Sequence, residues 1–379
     1  MLHKICNMKP NPFIISGYVS PEYFCDREEE TARIQNAIEN GRHLTLFSPR
    51  RMGKTGLIRH VFYKAVKKKE FTPVYLDIMA TTSLREFSEI FGKAVLTAIG
   101  KNEALMKKIL KRLSSLRLKL TIDHLTGEPA LSLDVNNARE AEKSLDTIFR
   151  YLGDQQYRIA IAIDEFQQIT NYPEKNLEAI LRTHLQTVNN VCMIFSGSRK
   201  HILTEMFSSP GRPFYNITEM MEITSIIPEA YLSFITTKFR KGSISISGAA
   251  LERITEITGL HTFYVQYFCN RLYSMHCKIE TEIVDQALVA ILRENEPVYA
   301  NYLDLLTPMQ YRVLKAVALN DGIDNPTSKE FISKYDLGAA SSVSQAIKSL
   351  EDKEFIFYSG NRYRLNDVFL AQWIIYKMA

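Results

Sequence analysis

A chain of 379 residues, 46% hydrophobic and 23% charged, is long enough for two or three domains and has the composition of a soluble globular protein. No apolar run spans a bilayer and the first ten residues hold no apolar signal core, so a cytoplasmic protein with no membrane partner is expected. The net charge of +5 is local, because residues 101–120 carry seven Lys/Arg against Glu103 alone, and this makes charge weak support for a nucleic-acid partner.

Residues 1–23 are rich in Asn, Pro and Tyr and read as an extended arm. Asp26 is a good N-cap for a helix with Ile34, Ala37 and Ile38 on one face, closed by Asn40-Gly41. Leu44 to Phe47 is a short buried strand. It leads into Ser48-Pro49-Arg50-Arg51-Met52-Gly53-Lys54-Thr55-Gly56 and then a helix with Leu57, Ile58, Val61 and Phe62 at helical spacing. Residues 72–78 form a second strand and 84–99 a helix. Residues 103–113 predict an amphipathic basic helix, followed by two alternating stretches that predict a β-hairpin, an insertion covering about 103–136. A helix from Ala138 to Leu152 precedes the fully apolar strand 158–163, which ends on Asp164-Glu165. A helix over 176–188 leads to a fourth core strand, 191–197, with Ser198 and Arg199 at its tip. Residues 222–226 predict a short fifth strand. Strands alternating with helices argue for a doubly wound α/β sheet.

From Pro228 the pattern is helical over 229–240, 247–258, 262–276 and 281–296. Helices at 307–319, 328–335 and 341–351, then two short strands around Ser359-Gly360-Asn361, have the order of a winged helix-turn-helix. The expected organisation is a core at 1–226, a helical lid subdomain at 227–300 and a winged helix at 301–379.

The turn after the first strand nearly fits the phosphate-binding loop, G-x-x-x-x-G-K-[ST], with Ser48 at the first Gly position. Such a loop turns backbone N–H groups toward phosphates at a helix N-terminus; Lys54 would reach the outer phosphates and Thr55 would hold Mg²⁺. Asp164 at a strand end fits the residue holding the metal or its water, and Glu165 fits a general base that polarises an attacking water. Ligands in a parallel sheet lie beyond the carboxyl ends of its strands, which makes Ser198 and Arg199 candidates for the γ-phosphate; the competing reading of Arg199 is a helix cap or surface ion pair. Arg212, in Ser209-Pro210-Gly211-Arg212-Pro213, reads either as an arginine finger or as a solvated loop residue.

These motifs resemble the archaeal-type P-loop ATPases, a family near the AAA+ and STAND classes. The residues that carry the likeness are Phe24 to Glu28, Ser48 to Thr55, Ile161 to Gln167, Phe195 to Ser198 and Gly259 to Gln266, with a C-terminal winged helix from Thr307 to Trp373. The resemblance implies a P-loop parallel sheet, a helical lid and an Mg²⁺-dependent ATPase that binds ATP and ADP. It places Asp26, Arg27 and Glu28 near the adenine and His261, within Gly259 to Thr262, in a lid motif that senses nucleotide. Members usually carry Gly at position 48 and Pro at position 262, where this chain has Ser48 and Thr262; Ser tolerates a positive φ poorly, so the first difference bears on loop geometry. The expected activity is a slow or regulated ATPase used as a switch, with a protein partner or a homo-oligomer as its further partner. A DNA-binding ATPase or regulator is the alternative. It is disfavoured because residues 301–379 hold nine Lys/Arg and nine Asp/Glu, and the recognition helix offers only Gln345 and Lys348 as long polar readers.

Overall fold

The computed structural model describes residues 11–100, 116–122 and 129–378. By internal contacts the described residues divide into a sheet unit, lying within 27–48 and 53–224, and a C-terminal unit, lying within 225–378 and joined by 11–26 and the loop tip 49–52.

The sheet unit holds five parallel strands: β1 His43–Phe47, β2 Thr72–Asp77, β5 Ile159–Asp164, β6 Val191–Gly197 and β7 Thr218–Glu222, in the order β2-β5-β6-β1-β7. Strands buried on both faces read as unbroken apolar runs, and β5 and β6 are buried at every position. Alternation divides the labour of β5. Ile159, Ile161 and Ile163 join one large core with Phe87, Phe91, Phe149 and Phe195. That core is closed by the helices α3 Leu84–Ile99, α4 Ala138–Gly153, α5 Leu177–Leu185 and α6 Lys200–Ser208. Ala160 and Ala162 take the other positions, where helix α2 Lys54–Lys68 packs beside α1 Glu28–Glu39. Strands β3 Leu118–Ile122 and β4 Pro129–Leu133 pair antiparallel, the hairpin the alternation predicts. The predicted basic helix at 103–113 lies outside the described residues.

Two expectations are corrected here. The fifth strand is Thr218–Glu222, not 222–226, because Met221 and its neighbours take the register opposite β1; Ile223 and Ile226 are buried, but only the Ile223 N–H continues the ladder, to Phe47 O at 2.9 Å. The cap of α1 is Arg27, not Asp26. Both residues are left-handed, with φ of 68° and 54°, and no side chain caps the helix.

The C-terminal unit contains α7 Pro228–Lys241, α8 Gly248–Thr258, α9 Thr262–Tyr273 and α10 Thr281–Asp304, which runs eight residues past the predicted end at 296 and carries Pro297 inside it. There follow α11 Pro308–Leu319, α12 Lys329–Tyr335, α13 Ala340–Asp352, the wing strands β8 Ile356–Ser359 and β9 Arg362–Leu365, and α14 Val368–Tyr376. One apolar cluster runs through all of them, from Tyr231 and Phe268 to Leu350 and Trp373. The N-terminal arm belongs to it: Phe13 is buried against Phe234, Phe239 and Tyr273, and Asn11 and Asn270 exchange hydrogen bonds with the backbone at Asn270 and Phe13. No described helix is long and apolar enough to cross a membrane.

Candidate nucleotide site

Lys54 opens α2 and Gly53 caps it at φ 95°, a left-handed conformation in which a side chain would be strained. The other left-handed residue of the loop is Arg51, at φ 63°. Ser48 is not left-handed, so its backbone has no need of glycine at that position. Its side chain instead takes a role glycine lacks. Ser48 is buried, and its Oγ and carbonyl oxygen each accept from Lys54 Nζ at 3.1 Å. The lysine is thereby buried with its ammonium satisfied, as a buried cation requires.

The acidic strand end meets the helix start. Thr55 Oγ1 donates to Asp164 Oδ2 at 2.5 Å, and Asp164 is buried. The same oxygen accepts from the Tyr75 hydroxyl at 2.9 Å, while Asp164 Oδ1 accepts the Glu165 N–H at 3.1 Å. Burial first, then the Asp164 carboxylate, push the Tyr75 hydroxyl well above the ordinary tyrosine range, so it stays a donor.

Glu165 is held by other contacts. Its backbone is left-handed at φ 55°, an uncommon conformation for a long side chain. Its Oε2 accepts from Gln167 Nε2 at 2.5 Å and from Ser198 Oγ at 3.3 Å. Gln167 is buried in the 3₁₀ turn Phe166–Asn171, and its Oε1 has no hydrogen-bond partner. That oxygen lies where Gly197 has no side chain: a Cβ on Gly197 would stand 1.9 Å from it. Gly197 is therefore set by space and not by dihedral. Behind it, Phe166, Phe195, Phe207 and Phe214 form one aromatic cluster.

The structure thus joins Ser48 to Lys54, Thr55 to Asp164 and Ser198 to Glu165. Arg199 is the half-buried N-cap residue of α6. Arg212 is ion-paired with Glu178 at 2.7 Å and with Glu205 at 3.7 Å. Burial raises the Glu178 carboxyl and Arg212 lowers it in turn. Arg27 is buried and pairs with Glu30 at 2.7 Å. Gly56 lies in the first turn of α2, and Glu28 opens α1.

The remaining candidates belong to the C-terminal unit. The Phe263 N–H donates to Arg51 O at 3.2 Å, and the Arg51 guanidinium lies 4.4 Å from the Phe263 ring centroid. Thr262 Oγ1 donates to Met52 O at 3.2 Å. Thr262 is the first residue of α9, a position that suits proline, and its hydroxyl adds a contact proline cannot make. Arg50 pairs with Glu354 at 2.6 Å. His261 caps α9, buried, its ring 4.9 Å from that of Tyr264. Pro49 and Asp26 sort with this unit as well.

Sequence reasoning missed Tyr75, Gln167 and Gly197. Gln167 stands two residues after the acidic pair, and Tyr75 occupies the strand position two before Asp77, which pairs with Asp164. Gln167 and Gly197 also lie within the stretches Ile161 to Gln167 and Phe195 to Ser198, which marked the neighbourhood and gave neither residue a role.

A parallel sheet whose carboxyl edge carries a Lys-Thr helix start and a buried acidic strand end defines a P-loop nucleotide-binding ATPase. The family profile described as "ATPase domain predominantly from Archaea" matches residues 24–259, more than half of the chain, and the chain belongs to that family. Residues 297–376 match the profile described as "Probable winged helix domain". No curated protein matches the chain by sequence. Among solved structures, a Walker-type ATPase of Pyrococcus abyssi is similar over 96% of this chain and 99% of its own, at 18% identity and a TM-score of 0.67. The ORC2 protein of Aeropyrum pernix, in ADPNP-ADP complexes, is similar over 97% of this chain and 98% of its own, at 14% identity and a TM-score of 0.56. The ORC1 protein of Aeropyrum pernix, in complex with DNA, covers 94% of each chain at 12% identity and a TM-score of 0.50.

Proposed function

We propose that this protein is an ATP-binding, Mg²⁺-dependent ATPase that acts as a nucleotide-controlled switch. The observation that carries the reading is the hydrogen bond between Thr55 and Asp164, which puts a hydroxyl and a carboxylate oxygen side by side at the helix start behind Lys54. These are hard oxygen donors, few in number, and they fit a cation that keeps several waters and shares its remaining positions with phosphates. Bound there, Mg²⁺ would neutralise charge on the β- and γ-phosphates.

The chain's own groups supply the rest. Lys54 exchanges Ser48 for phosphate oxygens as a point charge. Glu165 accepts the proton of the attacking water, and Gln167 and Ser198 set the direction of its carboxylate. Arg199, at the tip of β6, is proposed to contact the γ-phosphate. Arg212 is committed to Glu178 within the chain, so its use as a finger would require that pair to open. Asp26, Arg27, Glu28 and His261 remain the proposed nucleotide-sensing residues.

The switch rests on the loop tip. Arg51 O and Met52 O accept hydrogen bonds from the first two residues of α9, and Arg50 pairs with Glu354, two residues before the wing. A loop that is anchored this way and also binds phosphate gives a ligand two states to discriminate, as a population shift requires. The test is nucleotide binding and turnover in wild type, Lys54→Ala and Glu165→Gln. Lys54→Ala is expected to lose binding, and Glu165→Gln to bind and fail to hydrolyse. A wild-type protein that binds no nucleotide at millimolar concentration ends the proposal.

The winged helix is proposed as a contact for protein or for the chain itself. Its α13 exposes Ser341, Ser344, Gln345 and Lys348, a face with one cation, and the charge of 301–379 sums to zero. Phosphate contacts supply most non-specific nucleic-acid affinity, so a duplex gel shift at low salt is expected to show no complex. A shift that weakens steeply with salt would favour DNA as the partner.

A further inference from the structure

The β2–β5 register brings together two side chains that the chain separates by 89 positions. Tyr75 stands opposite Ala162, and Asp77 stands opposite Asp164. Side chains alternate along a strand, so Tyr75, Ala162 and Asp164 share one face. Ala162 is buried and small, and the diagonal from Tyr75 to Asp164 is a distance that a long aromatic side chain spans. The Tyr75 hydroxyl ends 2.9 Å from Asp164 Oδ2, the same oxygen that accepts from Thr55. With the Glu165 N–H on Oδ1, the carboxylate has three donors and a fixed plane.

The ring of Tyr75 is itself fixed. Arg59 lies one helical turn beyond Thr55 on α2, and its guanidinium sits 3.6 Å from the Tyr75 ring centroid. A cation over an aromatic face is attracted by the ring quadrupole. One helix therefore provides both Thr55, which touches Asp164, and Arg59, which holds the tyrosine that touches Asp164.

We infer that Tyr75 is a positioning residue for the divalent cation: its hydroxyl, with the ring clamped by Arg59, holds Asp164 in the orientation that meets the cation and its waters. The inference rests on the reading of Thr55 and Asp164 as the cation site. Outer partners of ligating carboxylates fix their orientation and are worth about 10–100-fold in metal affinity. Thr55 must offer a lone pair to the cation while its proton stays on Asp164. A second donor on the same oxygen means that Asp164 does not depend on Thr55 alone.

The experiment titrates a fluorescent ATP analogue into the full chain, in EDTA and across a Mg²⁺ series, with wild type, Tyr75→Phe and Arg59→Gln. Tyr75→Phe keeps the ring, its packing and its contact with Arg59, and removes only the donor. Affinity in EDTA is expected to stay within about twofold, while the Mg²⁺ concentration for half-maximal enhancement rises about 10-fold. Arg59→Gln, at an exposed position, is expected to raise it about two- to fivefold, the loss of an exposed cation–π contact of 0.5–1 kcal/mol. Equal Mg²⁺ midpoints in wild type and Tyr75→Phe overturn the inference and leave the ATPase reading standing. An equal loss of affinity with and without Mg²⁺ also overturns it, because a merely structural tyrosine would act that way. A wild type that binds the analogue without any Mg²⁺ dependence removes the cation reading and this inference with it. A wild type that binds no analogue removes the nucleotide reading as a whole.

Discussion

The sheet unit and the winged helix bury different things. Between Arg27 and Ser196 the sheet unit buries Lys54, Asp164, Gln167, Glu178 and His60 among other polar side chains; among the described residues from 301 on, no polar or charged side chain is buried. Burying a polar group costs free energy unless it is hydrogen-bonded, and a charge costs more. Among its described residues the winged helix buries one such group without a partner, Trp373 Nε1, and is otherwise held by apolar packing. The sheet unit accepts that cost at one edge, where Lys54, Asp164 and Glu165 are each held by a neighbour. The difference teaches where chemistry resides. The winged helix presents its charges only at its surface, whereas the sheet edge holds charges inside.

The largest expected effect tests the apolar half of this contrast. Leu350 is fully buried on α13, and Leu350→Ala should cost about 2–5 kcal/mol of stability in a denaturant titration. On the same helix, exposed Lys348→Ala should stay within about 0.5 kcal/mol. A Lys348 effect several times larger would mean that this face packs on something, and the contrast would fail.

The next test breaks the polar edge through space alone. Gly197→Ala sets a methyl 1.9 Å from Gln167 Oε1 and 3.0 Å from Leu203, so the Gln167 amide that holds Glu165 must shift. Overpacking of this kind costs about 1–3 kcal/mol. Hydrolysis should fall with nucleotide affinity little changed, as single-turnover and equilibrium binding together would show. Retained turnover would mean that Glu165 does not rely on Gln167.

The main features of both regions were legible in the residues, and the reasons differ. The phosphate loop and the acidic strand end are local: Gly53, Lys54 and Thr55 work at fixed spacing, and Asp164 closes an unbroken apolar strand. The winged helix was legible from periodicity, since its helices bury plain apolar stripes. Residues that act across the sheet were hidden. Tyr75 reads as a strand aromatic until the register sets it beside Asp164, and Gly197 reads as the end of a core strand until Gln167 fills its space. The fifth strand was misplaced because apolar Ile223 and Ile226 mark burial, while pairing is decided by β1. Asp26 looked like a cap because capping chemistry is local, but two left-handed residues turn the chain before α1 begins.

Acid should separate the two regions. His60, buried on α2, is held down to about 4, by burial first and by Lys64 second. Burial also lowers His43, whose Nδ1 accepts the Met193 N–H at 3.1 Å, and His184. The unfolded chain takes these protons near 6.5, the folded chain only at lower pH, so the neutral histidines contribute full stability above about 6.5. That contribution is lost as pH falls from there toward about 4 for His60. Residues 301–379 contain no histidine and the only tryptophan, Trp373. Far-UV circular dichroism should therefore report a denaturation midpoint that drops between pH 7 and 5, while Trp373 fluorescence, which follows the histidine-free residues 301–379, drops less. His60→Gln should flatten the first dependence. Equal drops by both probes would show that the two regions unfold as one.

The smallest effect concerns the arginine that the loop tip shares with the wing. Arg50 is about half exposed and pairs with Glu354 at 2.6 Å. Exposed ion pairs are worth about 0.2–1 kcal/mol and weaken with salt. Glu354→Gln should then change stability by less than about 1 kcal/mol, and high salt should remove the difference. The informative readout is nucleotide affinity. An arginine held by a carboxylate is less available to phosphate, so its release should raise ATP affinity by up to about fivefold, the equivalent of that same 1 kcal/mol. A fall in affinity would mean that the pair shapes the loop for binding. The carboxylate before the wing would then support the phosphate site and not compete with it, and the winged helix would take part in the chemistry from which its apolar core otherwise separates it.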